Sequence, residues 1–361
     1  MGKLDALIDE GERSGVFPLA RGCIFVRGHQ VWDGGNTPAD TVFDLASVTK
    51  VMATTALALD LRIPLSAPLA QLMPTAAVGH ATLEELLFHR AGLIAFLPFF
   101  AKAMTAHPQL FDLDCPATLR ATVRAQLLEQ VLATPPVRSF GEASVYSDLG
   151  FILLGEALAA AGGAPLDVLF AERVAKPLGL TAQFRRISSR LALPPSLAPT
   201  GNTRPREPAP GQERMWDVAA HAGQPGEVDD DNAWCLDGVS GHAGLFGTAH
   251  DVARFGQAVL EGRFAPPTTW ARDLITPGST RALGFDTPSE EGASCGPRFG
   301  RSGPRGAIGH LGFTGTSLWI DLDRELVVAL CTNRVALGRA NIAIREFRPR
   351  FHDAVIDALA P

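Results

Sequence analysis

The spacing of apolar residues along the chain predicts most of its secondary structure. At the N-terminal end, LDALIDEGERSG has the three- and four-residue spacing of a short amphipathic helix. The next segments, RGCIFVRG and QVWDGG, are typical of two strands joined by a tight turn near Gly28. Close to the C-terminal end, TSLWIDLDRELVVALCTNR predicts two strands joined by the turn DLDR, and REFRPRFHDAVIDAL predicts a final helix.

Residues 62–190 have the spacing of helices rather than of strands. Four segments carry it: ATLEELLFHRAG, LRATVRAQLLEQVLAT, DLGFILLGEALAAAGG and PLDVLFAERVAKPLG. Gly162-Gly163 and Gly179 stand where helix C-caps are expected. Further along, AHDVARFGQAVLEG predicts a helix that begins with a capping box, with Thr248 as the N-cap and Asp251 three residues later.

Strands near both ends of the chain, with helices between them, predict an α/β (α+β) fold. We expect an antiparallel sheet, flanked by helices and built from the two ends of the chain, together with a mainly helical domain. The sheet domain is expected over residues 1–61 and 225–361, and the helical domain over 62–224. Within the helical domain, the proline-rich residues 193–214 predict an irregular loop.

The composition is that of an ordinary globular protein. The chain has 361 residues, of which 46% are hydrophobic and 19% are charged, and its formal net charge is −6. No run of Lys or Arg stands out, so nucleic acid is not expected as a partner. The five cysteines are scattered and form no CxxC pair, which argues against both a disulfide framework and a zinc knuckle.

The N-terminal sequence bears on localisation. MGKLDALIDEGERSG is polar and lacks the apolar core of a signal peptide. No apolar run elsewhere reaches the roughly 18 residues of a membrane-spanning helix. From the sequence as written we therefore expect no membrane span and a cytoplasmic protein, while a removed leader stays possible. The oligomeric state is not predicted.

The segment FDLASVTKVMATTALALDL predicts a buried helix over residues 47–60 with Lys50 near its beginning. Burying an ammonium group costs free energy unless the group is paired or becomes neutral. Ser47 lies three residues before the lysine, hence about one turn away on the same helix face. This pair predicts a nucleophilic serine whose proton the lysine accepts. The alternative is a solvated lysine beside a serine that caps the helix.

Two further segments carry candidate chemistry. SVYSDLGFILLGEAL places Tyr146, the single tyrosine of the chain, just before an apolar helix, with Asp148 near its start. A phenol beside an ammonium can act as a general acid or base. The alternatives are a hydrogen-bonded structural tyrosine and an aspartate that caps the helix. In GAIGHLGFTGTSLWID, glycines mark a strand that a ligand can approach, and His310 there could bind a substrate carboxylate or tune the site. The alternative is a glycine-rich turn with an incidental histidine.

SVTK, YSD and HLG, in this order, resemble the three motifs of the penicillin-recognising serine hydrolases. This superfamily contains class C β-lactamases, D,D-peptidases and esterases. FDLASVTKVMATTAL is similar to its nucleophile segment, and YSDLGFILLGEAL to the helix start of its second motif. The resemblance extends from about residue 15 to 335, because further segments of the family are similar to LEELLFHRAGL, GHAGLFGTAHDVARFGQ and GHLGFTGTSLWID. It implies a β-lactamase/transpeptidase-like fold with the active site between its two domains.

The resemblance implies a serine hydrolase that forms a covalent acyl-enzyme. Ser47 would be acylated, and Lys50 and Tyr146 would share the proton transfers, with the choice of general base left open. The backbone N–H groups of Ser47 and Phe313 would form the oxyanion hole. The residues expected to contact substrate are Asp148, His310 and Gly312. The implied substrate is a small ester, amide, peptide or β-lactam, and no cofactor or metal is implied.

Two departures from the family pattern affect the expected substrate. True β-lactamases usually have Lys-Thr-Gly in place of HLG, and a largely neutral His310 does not supply the fixed cation that binds the carboxylate of penicillins. Asp148 stands where the family often has asparagine, and its charge could repel an anionic substrate or hold Lys50 protonated. Both departures favour an esterase-like or peptidase-like enzyme. The alternative is a penicillin-binding or sensor-type homologue that is acylated but turns over slowly.

Other kinds of site have weaker support. The sequence GVSGH around Ser240 fails the Gly-x-Ser-x-Gly pattern of α/β-hydrolases at its fifth position. The acidic run near it is more typical of a solvated loop than of a metal site, because no metal-binding spacing is present. The metal ligands considered are His221, Asp229, Asp230, Asp231 and His242. His89 is expected to be structural and to hold a loop through hydrogen bonds.

Overall fold

The computed structural model describes residues 2–208 and 211–360. The strands, numbered along the chain, are β1 (Ala20–Val26), β2 (His29–Gly35), β3 (Phe43–Asp44), β4 (Gln183–Phe184), β5 (Thr203–Arg204), β6 (His221–Ala222), β7 (Leu245–Gly247), β8 (Ala307–Leu311), β9 (Ser317–Asp321) and β10 (Leu326–Thr332). The α-helices are α1 (Gly2–Arg13), α2 (Ala56–Asp60), α3 (Leu83–Leu87), α4 (Phe99–Ala106), α5 (Ala117–Leu132), α6 (Asp148–Gly162), α7 (Leu166–Phe170), α8 (Lys176–Leu178), α9 (Asp231–Cys235), α10 (Ala249–Leu260) and α11 (Ile344–Leu359).

The two ends of the chain form one five-stranded antiparallel sheet, as the sequence predicts. Its strand order is β2-β1-β10-β9-β8, and β1 pairs with β10 in a register that sets Ala20 opposite Thr332. The tight turn between β1 and β2 is confirmed, with Arg27 at φ 50° and Gly28 at φ 83°. Two short sheets, β3-β7-β4 and β5-β6, lie outside the main one.

Both faces of the main sheet are covered, because alternate side chains along each strand enter different apolar clusters. Cys23 and Phe25 of β1 pack in the cluster that contains α10, whereas Ile24 packs in the cluster that contains α1 and α11. The predicted capping box of α10 is confirmed: Thr248 Oγ1 accepts from the Asp251 N–H, and the Asp251 carboxylate accepts from the Thr248 N–H. The sheet is therefore a rigid, fully packed layer.

The middle of the chain is mainly helical, as predicted. Gly163 and Gly179 end their helices in the left-handed conformation, with φ values of 67° and 65°. The apolar cluster that contains α10 continues from the sheet into these helices. It includes, for example, Phe25 of β1 and Leu153 of α6. Because packing is continuous, the boundary at residues 62 and 224 remains a prediction.

Part of the predicted architecture lies at the limits of the described residues. Residues 209 and 210 of the predicted irregular loop, and residues 1 and 361 of the predicted sheet domain, lie outside them. Within the loop, Thr203–Arg204 forms a two-residue strand that pairs with His221–Ala222. The five cysteines are buried and free.

No single helix among the described residues is long and apolar enough to cross a bilayer, and the bent pair Asp148–Gly162 and Leu166–Leu178, at 74°, meets the length and composition requirements only as a pair.

Gly256 tests how tightly α10 packs on the sheet. A Cβ at this position would lie 2.5 Å from Val327 Cγ1 and 2.9 Å from Leu318 Cδ1. Alanine is favoured over glycine in a helix by about 1 kcal/mol, but overpacking costs about 1–3 kcal/mol. We expect Gly256→Ala to lower the free energy of unfolding by about 1 kcal/mol, measured by urea denaturation.

The matched control is Gly150→Ala in α6, where the added Cβ finds no atom nearer than 3.4 Å. This variant is expected to be neutral or to raise the free energy of unfolding by up to about 1 kcal/mol. A Gly256→Ala protein as stable as Gly150→Ala would contradict the close packing of α10.

Candidate active site

A cleft of about 490 Å³ collects most of the residues singled out from the sequence. Its walls include Ser47, Tyr146 and Asp148 on one side and His310, Gly312 and Phe313 on another. Lys50 lies behind Ser47 and is fully buried. The structure thus brings the three predicted motifs together, although they are far apart in the sequence.

The predicted helix over residues 47–60 consists of three pieces with different turns. Ala46–Val48 is a 3₁₀ turn, Lys50–Thr55 is π-helical, and only Ala56–Asp60 is α-helical. Ala46, immediately before the serine, has a φ of 47°, which is strained for a residue with a side chain. Its N–H donates to Asp44 Oδ1 at 2.8 Å. Ser47 therefore sits on a strained, tethered turn rather than at the start of a regular α-helix.

Lys50 is buried as part of an ion pair. Its Nζ donates to Ser47 Oγ at 3.0 Å, to Asp148 Oδ1 at 2.7 Å and to the His242 carbonyl at 3.1 Å. These three acceptors match the three protons of an ammonium group. Burial alone would lower the pKa of Lys50, but Asp148 and Tyr146 outweigh it, and the pKa lies above its ordinary value. Lys50 is therefore a charged ammonium at neutral pH.

Tyr146 stands over this ammonium as a neutral phenol. Lys50 Nζ lies 4.8 Å from the centroid of the Tyr146 ring. Burial raises the pKa of Tyr146, and the opposing effect of Lys50 does not cancel the rise. The other side of the ring packs against His89, with the ring centroids 4.7 Å apart. Neither predicted proton carrier is in its basic form at rest.

The loop that carries Tyr146 is held by His89, which confirms the structural role predicted for this histidine. His89 Nδ1 accepts from the Ser147 N–H at 3.0 Å, and the His89 carbonyl accepts from the Val145 N–H at 2.9 Å. Ser147, and not Asp148, is the N-cap of α6. The capping alternative for Asp148 is therefore wrong, and its carboxylate is the counterion of Lys50 instead.

His310 lies at the sheet edge of the cleft and carries no charge. Its Nδ1 donates to the Leu311 carbonyl at 2.9 Å, which leaves Nε2 as a hydrogen-bond acceptor. Burial, Lys50 and Arg281 together place the pKa of His310 well below its ordinary value. His310 thus lacks the charge expected of a group that binds a substrate carboxylate, but its Nε2 can accept a hydrogen bond from a ligand.

The loop between β8 and β9 is bonded directly to the residues just before Ser47. Thr314 Oγ1 donates to the Asp44 carbonyl at 2.7 Å, and Thr316 Oγ1 donates to the Leu45 carbonyl at 3.0 Å. A Cβ at Gly312 would overlap Thr316 Oγ1 and lie 2.7 Å from the Leu45 carbonyl oxygen, so only glycine fits there. These contacts fix the position of the next residue, Phe313, relative to the serine.

The N–H of Phe313 is free to receive a ligand. Among the residues that the structure describes, no backbone or side-chain acceptor is within hydrogen-bonding distance of it. Phe313 and Ser47 border the same cleft. The predicted pair of oxyanion donors is therefore placed on two elements that threonine hydroxyls hold together.

Asp44 supports this arrangement and was not identified from the sequence. Its Oδ2 accepts from the Asp229 N–H at 2.6 Å, while its Oδ1 holds Ala46. Burial raises the pKa of Asp44 to about 7. The residue stands within the resembling segment FDLAS, but no periodicity or spacing marks it as a tether.

Three arginines near Phe313 were also missed. The Arg334 guanidinium stacks 4.5 Å from the centroid of the Phe313 ring, and Arg348 Nη2 donates to the carbonyls of Gly312 and Thr316 at 2.8 Å each. Arg345 borders the same part of the cleft. Within residues 2–208 and 211–360, none of the three arginines has a carboxylate partner.

The third motif lacks the lysine of Lys-Thr-Gly, and from this we inferred that the site has no fixed cation for a substrate carboxylate. These arginines correct that inference. Burial lowers the pKa of Arg334 to about 10 and of Arg348 to about 9, so both are cations at neutral pH. The cleft therefore holds fixed positive charge even though His310 is neutral. The spacing of Arg345 and Arg348 places them one turn apart on α11, but the sequence does not tell where that helix docks.

The rival sites are not assembled. Ser240 is buried, and its Oγ bonds to His242 Nδ1 at 2.8 Å, so it is not exposed as an α/β-hydrolase nucleophile would be. The acidic run is not a solvated loop as expected: Asp229 pairs with Arg339 at 2.8 Å, and Asp231 pairs with Arg204 at 2.7 Å. Across the described part of the chain, no group of three or more His, Cys, Asp or Glu is placed to hold a metal.

Comparison with known proteins agrees with this geometry. The family model described as Beta-lactamase matches residues 4–347. A protein of Salmonella typhimurium (strain LT2) named "Putative D-alanyl-D-alanine carboxypeptidase" is 27% identical over 321 residues, which cover 82% of this chain and 70% of that protein. A protein of the same name from Salmonella agona (strain SL483) matches to the same extent.

Solved structures share the fold over nearly the whole chain. The octameric penicillin-binding protein homologue from Pyrococcus abyssi superposes with a TM-score of 0.68 at 16% identity, covering 99% of this chain and 77% of its own. EstCE1, a hydrolase with promiscuous acyltransferase activity, gives 0.66 at 18% identity and coverages of 96% and 98%. Fold and sequence match therefore agree: the chain belongs to the β-lactamase family.

Proposed function

We propose that the protein is a serine hydrolase that forms a covalent acyl-enzyme at Ser47. The observation that carries the proposal is the 3.0 Å hydrogen bond between Lys50 Nζ and Ser47 Oγ inside a cleft that also contains Tyr146. A serine hydroxyl is a weak nucleophile unless a neighbouring base removes its proton. Lys50 and Tyr146 are the groups placed to do this.

The proton transfer begins from an unusual resting state. Lys50 is an ammonium paired with Asp148, and Tyr146 is a neutral phenol. One of the two must lose a proton before Ser47 can attack, and Asp148 opposes that loss by stabilising the ammonium. Activity is therefore expected to rise as the pH rises above neutrality.

The negative charge that forms on the attacked carbonyl oxygen would be received by the N–H groups of Ser47 and Phe313. Removal of one such donor typically costs about 2.7–4 kcal/mol of transition-state stabilisation. The threonine bonds from the β8–β9 loop to Asp44 and Leu45 would keep the two donors aligned without reorganisation during the reaction. The protonated carrier would then deliver its proton to the leaving group.

The preferred substrate in this proposal is a small ester or peptide amide that bears a carboxylate near the bond to be cleaved. Arg334, Arg345 and Arg348 supply cations beside Phe313 that have no counterion in the described part of the protein. Leu311 and the Phe313 ring offer an apolar wall for an acyl or alcohol group. The relatives named "Putative D-alanyl-D-alanine carboxypeptidase" and the structural neighbour described as a hydrolase with promiscuous acyltransferase activity are compatible with this class.

A second candidate is a homologue that is acylated but turns over slowly. The observation in its favour is the same Lys50–Asp148 ion pair, because a protonated Lys50 cannot activate the water that would release the acyl group. The two candidates differ in kinetics. A hydrolase turns over p-nitrophenyl acetate continuously, whereas a slow acceptor releases one equivalent of nitrophenol and stops.

Ser47→Ala tests the nucleophile. We expect the turnover of p-nitrophenyl acetate to fall by at least about 10³-fold while the protein stays folded, because the attacking oxygen is removed but Asp148 and the His242 carbonyl still accept from Lys50. In wild-type protein quenched with acid during turnover, mass spectrometry should find an acetyl group on the peptide that contains Ser47. Turnover or labelling that persists in Ser47→Ala would exclude this serine as the nucleophile.

Asp148→Asn tests the ion pair. Removing the carboxylate lowers the pKa of Lys50, so the neutral amine appears at lower pH. The rising limb of the pH dependence of kcat/KM should therefore move to lower pH. Glu156→Gln is the matched control: it lies on the same helix, pairs with Arg124 away from the cleft, and should leave the profile in place. An unmoved profile in Asp148→Asn would show that Lys50 does not limit the reaction.

Gly312→Ala tests the fastening of the oxyanion loop. The added methyl group must push the loop away from Thr316 and Leu45, which displaces the Phe313 N–H. We expect kcat to fall by roughly 10²-fold with little change in KM, since the lost interaction belongs to the transition state. Gly150→Ala should retain wild-type kcat. Full activity in Gly312→Ala would remove Phe313 from the oxyanion hole.

A further inference from the structure

Asp230 has two carboxylate oxygens in different surroundings. Oδ1 accepts from the Ala233 N–H at 2.8 Å and from His242 Nε2 at 2.9 Å. Oδ2 has no hydrogen-bond partner in residues 2–208 and 211–360, and the side chain borders the active-site cleft with 28% of its surface exposed. The role of Asp230 as the N-cap of α9 explains the contacts of Oδ1 only. Oδ2 is open to a ligand.

Within the described residues Asp230 forms no ion pair with a lysine or arginine, although Arg339 is near enough to help lower its pKa. Burial would raise its pKa, but His242 and the Ala233 N–H outweigh burial and place the pKa below its ordinary value, so the carboxylate is ionised. The other acidic residues of the cleft each pair with a basic side chain: Asp148 with Lys50, Asp229 with Arg339, Asp231 with Arg204 and Asp286 with Arg281.

Two aromatic rings line the same cleft as Asp230. Phe100 and Trp216 border it and contact one another edge to face, with their centroids 5.0 Å apart. The Phe100 N–H donates to Asn232 Oδ1 at 3.0 Å, which ties the ring to the helix that Asp230 caps. Aromatic faces attract cations, and the attraction adds to that of a nearby carboxylate.

Asp230 is connected to the reacting groups through His242. His242, whose ring donates to Asp230, is also the residue whose carbonyl accepts from Lys50 at 3.1 Å. His242 thus links Asp230 to the Lys50–Ser47 pair, and Ser47 and Asp230 border the same cleft. The fixed cations of Arg334 and Arg348 lie beside Phe313, around the oxyanion loop.

We infer that Asp230, with Phe100 and Trp216, forms a subsite for a protonated amine of the substrate. The inference rests on the proposed hydrolysis at Ser47 and narrows its substrates to amino esters and amides with a free amino group. Neutral esters of the same shape leave Oδ2 of Asp230 without a partner. Asp230 is in this account a specificity residue and takes no part in proton transfer.

Matched substrates test this subsite. Alanine methyl ester and N-acetylalanine methyl ester, each as both enantiomers, differ in the amine charge. Wild-type kcat/KM should favour the free amine of at least one enantiomer by about tenfold or more. The preference should decline as the pH rises through the α-amino pKa, about 8, because only the protonated amine is attracted. Asp230→Asn keeps the acceptor for Ala233 and His242 and removes the charge.

In Asp230→Asn, kcat/KM for the free amine should fall about tenfold while the value for the N-acetyl ester stays within about twofold. Asp217→Asn is the matched control, because Asp217 is exposed next to Trp216 but does not border the cleft. It should retain the wild-type preference. An equal loss on both esters in Asp230→Asn would indicate a structural role and overturn the inference.

The wild-type protein alone separates the two proposals. Failure to cleave p-nitrophenyl acetate and both alanine esters would overturn the proposed hydrolase itself. Cleavage of p-nitrophenyl acetate without a pH-dependent preference for the free amine would leave the hydrolase intact and overturn the amine subsite. Neither result depends on a variant that folds.

Discussion

The ion pair between Lys50 and Asp148 is the interaction on which the site depends. An ammonium group without exposure to water is stable only when acceptors replace its hydration. Three acceptors from separate parts of the chain do so here: Ser47 Oγ, Asp148 Oδ1 at the start of α6, and the carbonyl of His242. Loss of any one would leave a buried charge incompletely paired. The requirement to satisfy Lys50 therefore brings these three segments to a single point.

A second constraint, made of neutral hydrogen bonds, places the sheet relative to that point. The hydroxyl groups of Thr314 and Thr316 donate to the carbonyls of Asp44 and Leu45, just before Ser47. Only glycine fits at position 312, because a side chain there would collide with Thr316 and the Leu45 carbonyl. The sheet edge is rigid because β8 pairs along its full length with β9. The ion pair thus fixes the groups proposed to transfer protons, and the threonines fix the groups proposed to stabilise negative charge.

Much of this arrangement could be predicted from the sequence, because local signals were strong. The sheet from both chain ends, the capping box of α10 and the glycine C-caps follow from periodicity and from residues with special backbone preferences. The resemblance in three motifs predicted that Ser47, Lys50 and Tyr146 lie in one site. Each of these signals lies within a short segment and can be recognised without knowledge of the tertiary structure.

What the sequence did not predict depends on how distant elements dock. The 3₁₀ and π turns around Ser47 have no local signal in the sequence, and Lys50 in them bonds to Asp148, which is 98 residues away. Arg334 and Arg348 look like ordinary surface cations until α11 and the last strand meet at the cleft. Asp230 belongs to an acidic run whose sequence resembles a solvated loop. Only the structure shows that its neighbours Asp229 and Asp231 pair with arginines from other segments and that Asp230 does not.

The most direct test of the central claim is the ionisation of Lys50 itself. The chain contains four lysines, so selective ¹³C labelling at Cε gives a spectrum in which the signal absent from Lys50→Met identifies this residue. Titration of the wild-type protein should show Lys50 protonated through neutrality and losing its proton above the ordinary lysine value of about 10.4. A Lys50 signal that titrates below that value, near neutral pH, would contradict the buried ion pair as the basis of the site.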